Sequence, residues 1–233
     1  MLIVLPPSET KAPGGQDAPM SVSFPALDPI RSDLMRDLAA LPVEEMMAEL
    51  KIPASKRAEA EENMGLAKAP VMPAIFRYTG VLFDALSAPT LPTACLERLA
   101  VGSALFGVVR AGDMIPRYRL SGGARLGGAT LKSRWGTAIT NVLSDFPFVV
   151  DLRSGTYQKL GPVPGAATVR VESVQPDGSR KVVSHFNKQY KGELARALAL
   201  HDTTVTSPDD VAHVADAAGM SAEVHGAQVT LVV

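Results

Sequence analysis

Between Gly102 and Arg134 the chain sets Arg110, Arg117, Arg119, Arg125, Lys132 and Arg134 against a single acid, Asp113. A guanidinium fork donates two parallel hydrogen bonds to a phosphate or carboxylate, so this composition points to anion binding. Gly122, Gly123, Gly127 and Gly128 would let backbone N–H groups approach the same anion. Tyr118, Leu120 and Leu126 alternate with the cations, which suggests a fixed wall and not a loose tail. A second basic run holds Arg180, Lys181, Lys188, Lys191 and Arg196, opposed by Glu193. The GGARLGG stretch lacks the Lys-Ser/Thr ending of a nucleotide loop and the spacing of a dinucleotide turn.

Ser8, Glu9 and Lys11 follow a short apolar run, where a loop at the carboxyl end of a strand often lines a ligand crevice. Lys11 would serve there as a cation or, if desolvated, as a base. Ser154 and Tyr157 follow a second apolar run and would either meet a ligand or cap the next helix. Ser8, Lys11 and Tyr157 are thus the candidate catalytic residues. His185, His201, His213 and His225 have no metal-ligand spacing; His201, Asp202, His213 and Asp216 would form a cluster only if folding gathered them. No metal and no cofactor is expected. Cys95, the sole cysteine, has apolar neighbours and reads as a small core residue.

These groups need elements to hold them. Leu2 to Leu5, stopped by Pro6 and Pro7, predicts a buried strand opening into a loop, and Leu96 to Leu105 and Phe148 to Leu152 predict two more. Helical spacing covers residues 31–68, with Ser55 as an N-cap, and recurs over Thr79 to Leu86, Leu131 to Phe146 and Lys188 to Leu200. Ser207-Pro208-Asp209-Asp210 is a helix start. Thr168 to Val174, a Pro176-Asp177-Gly178-Ser179 turn and Arg180 to Phe186 predict a hairpin, and strands follow near Ala222 to Val224 and Gln228 to Val232. The pattern predicts one α+β domain over residues 1–233, a mixed, mostly antiparallel sheet surrounded by helices.

The 233 residues carry a formal net charge of −1, so attraction to a polyanion must come from segregated charge. Residues 200–225 mirror the basic runs, with Asp202, Asp209, Asp210, Asp216 and Glu223 and neither Lys nor Arg. Five apolar residues before Pro6 are too few for a signal peptide or a membrane span. A cytoplasmic protein without membrane contact is expected.

Ser103 to Arg110, then Asp113 and Pro116 to Leu120, resemble the SGLYGVLRP-D-YRL core of the YaaA family of peroxide stress response proteins. Trp135-Gly136 with Ile139-Thr140 resembles the family's WG-x-x-IT helix, Asp151 to Tyr157 its NLAS-x-EY strand end, and Phe186 to Arg196 its KKARG-x-x-R segment. The opening LPPSETK and Phe76-Arg77-Tyr78 fit N-terminal motifs more loosely. The resemblance implies a role in surviving peroxide by limiting free intracellular iron, and non-specific binding of double-stranded DNA, or another phosphate-bearing anion, through a cationic cleft. Two departures stand out: Thr156 replaces the family's acid, and Pro53 stands where a hairpin glycine would sit. Two functions stay open. One is a DNA-binding stress protein that uses Arg110, Arg117, Arg119, Arg125, Lys132, Arg134, Lys188, Lys191 and Arg196. The other is an enzyme of unassigned reaction on a phosphorylated or carboxylated small molecule in the same pocket.

Overall fold

The computed structural model describes residues 1–182 and 186–233. The first third of the chain runs β1 (Leu2–Leu5), α1 (Asp28–Ala40), α2 (Val43–Glu49), α3 (Arg57–Glu62), β2 (Val71–Pro73), α4 (Ala74–Arg77) and α5 (Val81–Leu86). The middle adds α6 (Thr93–Leu96), β3 (Leu99–Ser103), β4 (Gly107–Arg110), β5 (Met114–Pro116), β6 (Arg125–Leu126), β7 (Ala129–Thr130), α7 (Leu131–Trp135), α8 (Ala138–Ser144), β8 (Val149–Asp151) and α9 (Gly155–Gln158). The last third holds β9 (Ala167–Val174), β10 (Arg180–Val182), α10 (Asn187–Leu200), α11 (Pro208–Ala217), β11 (Ser221–His225) and β12 (Gln228–Val232).

An eight-stranded sheet in the order β11-β12-β9-β8-β1-β3-β4, with β10 added to β9, forms the centre. The mixed sheet among helices is as expected, but its balance is corrected: β1 pairs parallel with β3 and β8, and β9 pairs parallel with β8 and β12. Antiparallel pairing in this sheet is confined to β3 with β4, β9 with β10, and β11 with β12. The domain is therefore better described as α/β. Strands buried on both faces read as continuous apolar runs, and β1, with Leu2, Ile3, Val4 and Leu5 fully buried, is such a strand. In the alternating hairpin, β10 is the added strand, while β9 lies inside the sheet between β12 and β8.

Local signals explain most helix limits. α11 begins with a capping box: Ser207 accepts from the Asp210 amide and Asp210 accepts from the Ser207 amide. The helix predicted over Leu131 to Phe146 is two helices, α7 and α8, parted at Gly136 (φ 52°). Ser55 caps nothing; it lies inside a 3₁₀ turn before α3. Cys95 is half-buried and packs against the core from outside. Residues 183–185 of the predicted return strand, including His185, lie outside the described residues.

Two buried arginines tie the loops to the sheet. Arg31 of α1 donates to the carbonyls of Phe106 and Val108 and to Asp28. Arg77, with no exposed surface, donates to the carbonyls of Ala12, Gly14, Pro70 and Ile115. The second clasp holds down the loop after β1, the stretch that carries Ser8, Glu9 and Lys11. α10 packs on α5 closely enough that a Cβ on Gly192 would lie 2.3 Å from the Leu82 carbonyl oxygen.

Candidate functional site

β1 leads to β3 on one side of itself, while β8 pairs on its other side. Chain connections leaving a parallel sheet in opposite directions open a crevice at the strands' carboxyl ends. A crevice of about 810 Å³ lies there, lined by Ser8, Glu9 and Thr10 after β1, Arg153, Ser154 and Tyr157 after β8, and Lys188 and Lys191 of α10. Thr79 and Gly80 close another side. The volume suits a molecule of nucleotide or sugar-phosphate size.

Lys191 is buried, and its Nζ donates to the Leu152 carbonyl at 3.0 Å. Desolvation by burial lowers its pKa from 10.5 to about 8, against the attraction of Asp151. Asp151 is itself committed, accepting from Nε and Nη2 of Arg153 at 2.8 Å each. Residues two apart in a strand share a face, so the Asp-Leu-Arg ending on a buried run is the sequence signal for this pair, whose members are absent from the candidate residues above. Gly102 makes room for it: a Cβ there would lie 2.7 Å from Arg153 Cδ.

Lys11 does not line the crevice but sits buried behind it. Its Nζ donates to the Ser8 carbonyl at 3.1 Å and lies 4.3 Å from the Tyr118 ring centroid and 5.4 Å from that of Tyr78. Burial lowers its pKa to about 8. The Tyr118 hydroxyl joins those of Ser103 at 2.7 Å and Tyr78 at 2.8 Å, so the motif serine at the end of β3 serves a buried hydroxyl network. Burial pushes the Tyr78 phenol up to about 12 and that of Tyr118 well above its usual value. Tyr157 accepts a hydrogen bond from the Gly122 amide at 3.0 Å, and its ring packs where a Gly122 Cβ would stand.

The basic block is dispersed, and three of its six cations are paired with carboxylates. Arg117 pairs with Glu62 at 2.7 Å and with Glu59, and Arg119 pairs with Glu59 and Glu9. Arg134 pairs with Asp37 at 2.7 Å. Arg110 donates to the Glu97 carbonyl and lies over the rings of Phe24 and Phe146. Arg196 donates to the Leu86 and Ser87 carbonyls and so satisfies the end of α5. Arg125 bonds the Gly128 carbonyl from an exposed position, and Lys132 is exposed. The Gly127 amide does meet an anion, the Glu49 carboxylate at 2.7 Å. Asp113 secures a turn by accepting from the amides of Arg110 and Ser23. In the turn after α2 the left-handed conformation falls on Lys51 (φ 54°), ahead of Pro53. Arg119 and Arg125 border a separate cleft of about 410 Å³. The acids responsible come from α1, α3 and the loop after β1, far away in sequence.

The fold and its crevice define an α/β protein with a cavity at the carboxyl ends of parallel strands. The family model for peroxide stress protein YaaA matches residues 1–223. A UPF0246 protein of Corynebacterium efficiens is 57% identical over 234 residues, covering 97% of this chain and 96% of that protein. A UPF0246 protein of Streptomyces coelicolor is 38% identical over 93% of this chain and 88% of its own length, and one of Shewanella piezotolerans is 28% identical over 90% and 89%. The chain belongs to the YaaA family of peroxide stress proteins. Among the described residues no helix is long and apolar enough to cross a membrane, and no group of three or more His, Cys, Asp or Glu side chains is placed to hold a metal ion.

Proposed function

We propose that this protein serves peroxide stress protection by binding a small phosphorylated or carboxylated molecule in the crevice over β1 and β8. The observation that carries the reading is the convergence of Lys188 and Lys191, three residues apart on α10, on a cavity also lined by Ser8, Thr10, Thr79 and Ser154. Positions three apart lie on one helix face, so both amines address the same ligand. Their place near the start of a fourteen-residue helix adds a favourable field for an anion.

Duplex DNA is the poorer fit. Non-specific DNA binding needs cations free to displace counterions, and Arg117, Arg119 and Arg134 already neutralise carboxylates of the same chain. Control of free iron, which the family resemblance implies, would then be indirect, through the small molecule.

Thermal melts with inorganic phosphate and glycolaldehyde phosphate, beside titrations of a short duplex at two salt concentrations, test the reading. Stabilisation by the small anions that Lys188→Ala abolishes is expected. Tight, steeply salt-dependent duplex binding without small-anion stabilisation would refute it and restore the DNA reading.

A further inference from the structure

We propose that Lys191 is a nucleophilic amine that forms an imine with an aldehyde or ketone on the anionic ligand, while Lys188 holds the ligand's charged group. The inference rests on the binding reading above and adds a covalent step to it.

The two lysines share a face but not an environment. Lys188 is exposed to water. Lys191 is 8% exposed, and among the described residues its nitrogen makes one hydrogen bond, to the Leu152 carbonyl. An ammonium has three donors, so two valences are left to the crevice that Lys191 lines. The nearby carboxylate, Asp151, is held in a two-point pair with Arg153 and is not directed at the amine. Burial then favours the neutral form, as the lowered pKa indicates. Lysines made nucleophilic by desolvation act in this way on carbonyl substrates.

Spacing sets the ligand. Side chains three apart on a helix have Cβ atoms roughly 5–6 Å apart. A carbonyl and an anionic group separated by a few bonds fit this interval, as in a phosphorylated aldehyde or a short keto acid. Lys11, the other buried lysine, faces two aromatic rings and lies outside the crevice, so it is not the nucleophile.

In the step, the Lys191 lone pair forms the C–N bond as the carbonyl π pair moves to oxygen. A proton passes from nitrogen to that oxygen, giving a carbinolamine; the remaining nitrogen proton then passes to the hydroxyl as the C–O bond breaks and C=N forms, and water leaves. Tyr157 lines the same crevice, with its hydroxyl accepting from the Gly122 amide.

The test incubates wild type, Lys188→Ala, Lys191→Met and Lys191→Arg with glycolaldehyde phosphate or uncharged glycolaldehyde, reduces with cyanoborohydride and maps adducts by peptide mass spectrometry. At neutral pH an amine of pKa about 8 is neutral roughly 300 times as often as one at 10.5. Allowing for restricted access, labelling of Lys191 by the phosphorylated aldehyde at least about tenfold above any exposed lysine is expected. The preference for the phosphorylated aldehyde should vanish in Lys188→Ala, and both Lys191 variants should lose the adduct while keeping the wild-type circular dichroism. Labelling spread evenly over surface lysines, or concentrated on Lys11, would overturn the proposal. If Lys188-dependent stabilisation by phosphate appears without a Lys191 adduct, the imine is refuted and the binding reading stands. If neither appears, both fail.

Discussion

Replacing Lys191 with methionine should make the protein more stable at neutral pH, at the expense of its site. The folded-state pKa of about 8 lies below the unfolded 10.5. At any pH below about 8 the unfolded chain therefore holds its proton more tightly than the folded one. Each pKa unit is worth about 1.4 kcal/mol, so keeping this amine in the fold costs about 3 kcal/mol at pH 7. The penalty disappears as pH rises from about 8 towards 10.5. Methionine has a similar length and no charge, and its removal of the bond to the Leu152 carbonyl gives back about 1 kcal/mol. Lys191→Met should thus gain about 2 kcal/mol at pH 7 and lose that advantage near pH 10, where the missing hydrogen bond leaves it slightly the weaker. Urea unfolding followed by circular dichroism at pH 7 and pH 10 reads both values, with the slopes checked for constancy. A Lys191→Met protein less stable than wild type at pH 7, or a difference that does not change with pH, would refute the desolvation argument. The expected result has functional meaning: a residue that costs stability where it stands is one a fold retains for its chemistry.

Arg77→Met should destabilise by more than about 3 kcal/mol, since it strands the carbonyls of Ala12, Gly14, Pro70 and Ile115 in a buried setting. Chemical denaturation measures it, and a loss under about 1 kcal/mol would show that the clasp is dispensable. Gly192→Ala should loosen α10 from α5, because the new Cβ would meet the Leu82 carbonyl oxygen at 2.3 Å; a fall in melting temperature with weaker small-anion stabilisation is expected, and an unchanged melt would contradict the close packing. Lys188→Ala, at an exposed position, should leave the melting temperature of the unliganded protein within about 1 °C of wild type while removing its response to phosphate; an equal response in both proteins would remove Lys188 from the site.

Much of the fold is local in origin and so was legible. The four apolar residues of β1, the cap at Ser207 and the hairpin around Asp177-Gly178 each depend on neighbours within a few positions, and each lies where the pattern places it. Strand sense was misread because alternation in β9 and the tail is conspicuous, whereas parallel pairing depends on crossovers that leave no local mark. The loop after β1 and the end of β8 were recognisable as crevice material, since loops at the carboxyl ends of buried strands tend to line ligand sites. The pairing of Asp151 with Arg153 is foreshadowed in the sequence by an acid and a base two positions apart at the end of a buried run.

Charge was the harder subject. The sequence by itself determined that cations are concentrated in two runs, that β1 and β8 are buried strands opening into polar loops, and that the chain resembles the YaaA family. Which cations remain free was decided by tertiary structure alone. Glu59 and Glu62 lie more than fifty positions before Arg117 and Arg119, yet α3 brings them within ion-pair distance. Lys191 looks like its neighbour Lys188 in sequence and differs from it in the fold by burial. Electrostatic free energy depends on distance and on access to water, and both are properties of the folded arrangement and not of the order of residues.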